Sequence, residues 1–299
     1  MASDRILPGL GLRLFAVFCL STMMAMTKLV DAMGAHLFEI LFFRQLLSIP
    51  VALAWLGIGP DGIGGVRTAR LGAHAWRTLA GLIGLFANFG AVLLLPLAEA
   101  TTLQFTVPIF ATVLGALVLH EHVGRYRWAA VTAGLIGVVA VAQPSGGHFP
   151  IAGTMVGLIG AFGIALVSIL LRQLGKTESA GTTVFWFSLF SVGALTPLYL
   201  MKAQAHDPMV WLLLIGIGVA GGAGQVALTG ALRLAPVSAV VPMDYSGLIW
   251  ATLYGWILFA ALPTPTTWLG APLIVAAGLV ILWRERVKGR EISSGDRPA

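Results

Sequence analysis

Polar positions are sparse along this chain, and long apolar runs separate them. Ten such runs can be marked, at 12–30, 37–56, 76–96, 99–120, 127–143, 150–171, 181–201, 209–232, 236–259 and 267–284. About 20 apolar residues wound as an α-helix span the hydrocarbon core of a bilayer. The pattern therefore predicts an all-α membrane protein with ten transmembrane helices. The fifth run is short for a crossing. Very few residues join runs three and four, or eight and nine, so each pair is expected to form a tight helical hairpin.

Composition supports the membrane reading. Of 299 residues, 58% are hydrophobic and only 10% charged, against about 25% charged in soluble domains. Such a chain has too few charges to cover a soluble surface. Its 37 glycines suit helices whose backbones approach closely within a bilayer. The single cysteine, Cys19, cannot form an internal disulfide and is expected to be a small buried hydrophobe. The N-terminal run lacks a clear small-residue cleavage site and is expected to remain as the first span.

Charge sets the direction. With a cytoplasmic N-terminus, 15 of the 18 Lys and Arg residues fall in inner segments. Lys28 and Lys202 fall outside, and Arg44 lies within a span. The positive-inside rule then predicts that both termini are cytoplasmic. The formal charge of +6 does not point to nucleic acid, because the basic residues stand at the ends of apolar runs rather than in one patch. The expected organisation is a cytoplasmic N-terminus (1–11), a five-helix repeat (12–143), a second five-helix repeat (150–284) and a cytoplasmic tail (285–299). The last residues, "SSGDRPA", are expected to be irregular.

The halves resemble each other. A shift of 137 positions sets "GLIGLFANFGAVLLLPLA" (81–98) on "GVAGGAGQVALTGALRLA" (218–235), bringing Gly81 onto Gly218, Gly84 onto Gly221 and Asn88 onto Gln225. Five spans is an odd number, so the second copy enters from the opposite face. The expected fold is two inverted five-helix repeats, an architecture of secondary transporters.

The doubled unit, Arg44 in "FFRQLLSIP" and the segment "LAEATTLQFTVPIFATVLGALVLHE" (97–121) resemble the drug/metabolite transporter superfamily, specifically its EamA-type ten-helix exporters. Within it the chain is similar to exporters of aromatic and neutral amino acids. The second copy of the 97–121 pattern keeps its proline but lacks the closing glutamate, so no role for Glu121 follows by symmetry. The resemblance implies a central cavity lined by spans one, three, four, six, eight and nine, with five and ten at the periphery.

Several residues are candidates for substrate binding. Asp244 stands roughly 12 Å inside span nine at 1.5 Å per residue, where a carboxylate is costly and usually faces a partner, substrate or cavity. Asn88, Gln225 and Gln104 are intramembrane amides able to hold a polar head group, or to join helices. Tyr245 is an aromatic candidate beside Asp244. Pro108 and Pro242, in the paired spans four and nine, are expected to kink their helices and could act as gates. Arg44 is expected to snorkel toward the outer interface, where Lys28 and Glu39 lie at the same depth and could join it in a gating cluster.

Other motifs are set aside. "GIGVAG" (216–221) has the spacing of a dinucleotide loop but lies inside an apolar span with no βαβ unit. "HEH" (120–122) cannot direct three side chains at one metal from successive helical positions. No catalytic set, metal site or cofactor is expected. The sequence reads as a transporter of small metabolites, amino acids foremost, in a bacterial inner membrane, with lipid as its surroundings. A lipid or lipid-linked-sugar flippase of the same superfamily and an intramembrane enzyme are the alternatives.

Overall fold

The computed structural model describes residues 6–58, 62–118, 124–142, 151–174, 177–234 and 241–295. Apolar runs become helices because a helix satisfies its backbone polar groups internally, as a bilayer demands. In chain order these are α1 (Ile6–Ala32), α2 (Leu37–Ile58), a 3-10 turn (Gly62–Val66), α3 (Leu71–Leu94), α4 (Leu97–Gln104), α5 (Val107–Val118) and α6 (Arg125–Ala142). Then follow α7 (Ile151–Leu174), α8 (Ala180–Leu200), α9 (Pro208–Leu234), a second 3-10 turn (Val241–Ser246), α10 (Gly247–Phe259) and α11 (Pro265–Gly295). Among the described residues seven helical stretches are long and apolar enough to span a membrane, with shorter apolar helices at Trp128–Val141 and Pro265–Ile281.

Ten crossings result, two of them broken. The fourth consists of α4 and α5, and the ninth of the second 3-10 turn and α10. In the fourth, the break at residues 105–106 directly precedes Pro108. Proline has no N–H for the carbonyl four residues earlier, here that of Gln104. The Phe105 and Thr106 N–H groups turn instead to the carbonyls of Thr102 and Leu103, both at 3.1 Å. Pro242 sits within the 3-10 turn that opens the ninth crossing. Threonine and serine hydroxyls inside the helices bond back to carbonyls four residues earlier, as Thr27 does to Met23 and Thr102 to Ala98. These two hydroxyls, both fully buried, are thereby left with a partner.

The packing has a two-fold pattern. α1 packs on α9, α3 on α7, α2 on α8 and α6 on α11. Exchanging the first five crossings with the last five turns α1–α9 into α7–α3 and leaves the other two pairs unchanged. The two halves are therefore inverted copies that interdigitate. Side chains follow the same rule. A Cβ on Gly81 would meet Phe187 of α8, and one on Gly218 would meet Leu47 of α2. A Cβ on Gly84 would meet Gly163 of α7, and one on Gly221 would meet Met23 of α1. Each member of a repeat pair thus touches the equivalent partner.

Glycine is required where backbones meet. A Cβ on Gly163 would stand 2.7 Å from the Gly84 Cα, and one on Gly270 would stand 2.5 Å from the Gly137 carbonyl oxygen. Neither backbone can yield. Lipid is as apolar as leucine, so helices associate in it through such close packing rather than through a hydrophobic drive.

The helices are longer than the apolar runs. α1 begins by Ile6 and α3 at Leu71, so Arg13 and Arg77 lie within helices rather than in the inner segments to which the sequence assigned them. The tail expected to be irregular from Ser293 continues as helix to Gly295. Cys19 is buried, as expected.

Candidate substrate and gating site

Asp244 is tied to Arg13. The Arg13 Nε donates to one carboxylate oxygen at 2.6 Å and Nη2 to the other at 2.5 Å. Arg13 is buried and Asp244 one-third exposed. Arg13 Nη1 also reaches the Leu228 carbonyl at 3.4 Å. This two-pronged pair joins α1, α9 and the ninth crossing, and so crosses between the halves. A fork-shaped guanidinium matches a carboxylate with two parallel bonds, the strong form of this contact. The sequence identified the acid and missed its base, because Arg13 was counted with the membrane surface.

The three amides are half-buried in α3, α4 and α9. Among the described residues, none of the side chains of Asn88, Gln104 and Gln225 has a hydrogen-bond partner. Asn88 lies where α3 presses on α7, its backbone 2.9 Å from the point a Cβ on Gly160 would occupy. Gln104 ends α4 at the break before Pro108. Tyr245 is placed differently. Its ring packs edge-on against Phe105 at 4.9 Å, and its hydroxyl lies buried against Gly278 of α11, without a hydrogen-bond partner. The ring thus faces the tenth crossing, a less suitable place for contact with a solute.

Arg44 does not snorkel. It is buried, with its guanidinium 5.5 Å from the Phe89 ring centre and its stem against Gly221. Its Nη1 donates to the Gln45 side-chain oxygen. Nor does it form a cluster with Lys28 and Glu39. Lys28 donates to the Val92 and Leu95 carbonyls at 2.9 and 2.6 Å, capping the C-terminal end of α3. Equal depth did not bring the three together, because they point to different sides of their helices. Arg77 of α3, which sequence reasoning passed over, is buried with its guanidinium 3.7 Å over the Phe187 ring.

Glu39 has another partner. It lies 3.2 Å from His206 Nε2 and accepts the His36 backbone N–H at 2.9 Å. At the other end of the bundle, Glu178 lies 3.6 Å from His74 Nε2 and accepts from the Thr68 hydroxyl at 2.8 Å. Glu39 opens the second crossing and Glu178 precedes the seventh; His206 precedes the eighth and His74 opens the third. The two Glu–His pairs are thus counterparts, one at each face, and both link the halves. Around Glu178 the 62–70 loop is held down by Trp186 Nε1, which donates to the Val66 carbonyl at 2.8 Å.

"GIGVAG" lies within α9, which leaves it no phosphate-binding loop. The "HEH" sequence and Glu121 fall outside the described residues, as do Arg5 and Lys176.

Inverted five-helix halves, two broken crossings and unbonded amides within the helices point to a class: a membrane transporter. The chain belongs to the EamA-like transporter family, whose model matches residues 7–143 and again 151–283. It is 32% identical over 233 residues to a riboflavin transporter of Vibrio cholerae, covering 76% of each protein. It is 29% identical over 286 residues to a pseudopaline exporter of Pseudomonas aeruginosa, covering 94% of this chain and 98% of that one. A Rickettsia prowazekii S-adenosylmethionine uptake transporter is 24% identical over 84% of both chains. A solved crystal structure with 20% identity superposes with a TM-score of 0.65 over 96% of this chain and 99% of that one, a likeness of fold. The chain is accordingly a multi-span transporter of small molecules. The relatives' names cover both uptake and export and do not single out amino acids.

Proposed function

We propose that the protein exports small, largely apolar amino acids from the cytoplasm across a bacterial inner membrane by alternating access. The observation that carries this reading is the set of half-buried amides, Asn88, Gln104 and Gln225, left without side-chain partners. An amide can bond an ammonium or a carboxylate without holding a fixed charge, which suits a zwitterionic head. Both termini face the cytoplasm in this reading, so the Arg13–Asp244 pair lies at the inner end and closes that side. Asp244 then serves as one half of a latch, with Pro108 and Pro242 as the points where the two broken crossings bend.

The test is counterflow in liposomes loaded with single neutral amino acids, riboflavin being included for comparison. The reading expects exchange of phenylalanine or another apolar amino acid above that of empty liposomes. Exchange of riboflavin alone, or of no amino acid, overturns it. Initial rates with and without a pH gradient decide coupling, since equal rates and no proton movement exclude antiport.

A further inference from the structure

We infer that Arg44 and Arg77 form an oxyanion site that holds the carboxylate group of an organic solute between α2, α3 and α8. The inference deepens the transport reading and rests on it for the solute being carried.

The argument begins with unmatched donors. Among the described residues, Arg44 Nε, Arg77 Nε and Nη1, and Gln45 Nε2 are all buried without a hydrogen-bond partner. Arg44 is 8% exposed, Arg77 7% and Gln45 1%. The Ser191 hydroxyl, fully buried on α8, is also unbonded. It lies one turn beyond Phe187, the ring beneath Arg77, and so on the same helix face. Every nitrogen in this set donates and none accepts. A guanidinium offers five donors and no acceptor. What the set lacks is an acceptor, and a carboxylate supplies several.

Charge points the same way. Neither arginine has a carboxylate within ion-pair reach among the described residues, in contrast to Arg13. A guanidinium stays protonated in proteins, so these two charges cannot be removed by deprotonation. Burying an unpaired charge is costly, and a cation over a ring offsets only part of that. The two charges are also near enough to act on each other, so each raises the need for a counter-charge.

The two side chains enter from opposite ends of the bundle. Arg44 enters from the end of α2 that begins at Leu37 and reaches Gly221, midway along α9. Arg77 lies near the opposite end of the bundle, close to the start of α3, and turns toward Gly81, one turn deeper. The bond to Gln45 fixes that amide through its oxygen and leaves its nitrogen free. The phenyl faces of Phe89 and Phe187 back the two cations, leaving their edges for bidentate contact.

The experiment compares probes that differ in one group, with binding read by thermal shift and isothermal titration on the purified full chain. L-phenylalanine and benzoate carry a carboxylate; L-phenylalaninamide does not. The expected result is binding of a carboxylate probe with none of the amide. Arg44→Gln and Arg77→Gln should each weaken that binding about tenfold or more, as loss of a charge-assisted bond implies, and Arg77→Lys should weaken it less. If the Gln variants do not fold, the wild-type comparison decides alone. Equal binding of phenylalanine and its amide, or Gln variants with wild-type affinity, overturns the oxyanion site and leaves amino-acid transport standing. Binding of benzoate without phenylalanine keeps the site and sinks the amino-acid reading. No binding of either carboxylate overturns the site.

Discussion

The Arg13–Asp244 pair should be energetically coupled, and a double-mutant cycle measures by how much. Arg13→Met keeps the aliphatic stem and leaves the carboxylate alone; Asp244→Leu leaves a buried guanidinium alone; the double variant has neither charge. Contacts of 2.5 and 2.6 Å place the charge centres about 4 Å apart, where an effective dielectric of 20 gives about 4 kcal/mol. Asp244 is 33% exposed, and solvent screening brings the expected coupling down to about 2 kcal/mol. Each single variant should cost about 3 kcal/mol, since it strands a charge. The double should cost less than the sum by that coupling. Unfolding by SDS in mixed micelles, followed by tryptophan fluorescence, reads all four proteins. Costs that add to within about 0.5 kcal/mol would mean that the two side chains do not interact, and the latch reading would fail with them.

Three further outcomes are expected. Glu39→Gln and Glu178→Gln weaken counterpart links at opposite faces, so they should move access in opposite directions. An impermeant thiol reagent applied from outside should label Asn88→Cys, in a Cys19→Ser background, faster with Glu39→Gln and slower with Glu178→Gln; changes of the same sign refute the symmetry argument. Gly163→Ala places a methyl against the Gly84 backbone and should destabilise by about 1–3 kcal/mol, seen as a lower melting temperature in detergent; an unchanged one would mean that α3 and α7 are not in backbone contact. Ala260 ends α10 in the left-handed region at φ 49°, so Ala260→Gly should stabilise by about 1 kcal/mol, and a lower melting temperature would contradict that backbone geometry.

Depth was legible in the sequence; azimuth was not. Run lengths predicted ten crossings, and the 137-residue shift paired Gly81 with Gly218 and Gly84 with Gly221, which do occupy equivalent contacts. Lys28, Glu39 and Arg44 were matched by depth, yet each faces a different neighbour. Which side of a helix a residue occupies depends on the helix that packs there, and that helix can lie far along the chain. Arg13 and Asp244 are 231 positions apart, so no local window connects them. Arg77 escaped notice because a charge six residues into a helix resembles an interfacial anchor until Phe187 is found beneath it.

The exchange of partners between halves has a consequence for synthesis. In synthesis α1 meets its main neighbour, α9 (Pro208–Leu234), only after about three-quarters of these 299 residues have been made, and α6 waits for α11. Until then the grooves meant for the second half face lipid or an insertion chaperone, and the first half is an unfinished surface rather than a folded module. Separately expressed halves should therefore be degraded when alone and rescue one another when made together.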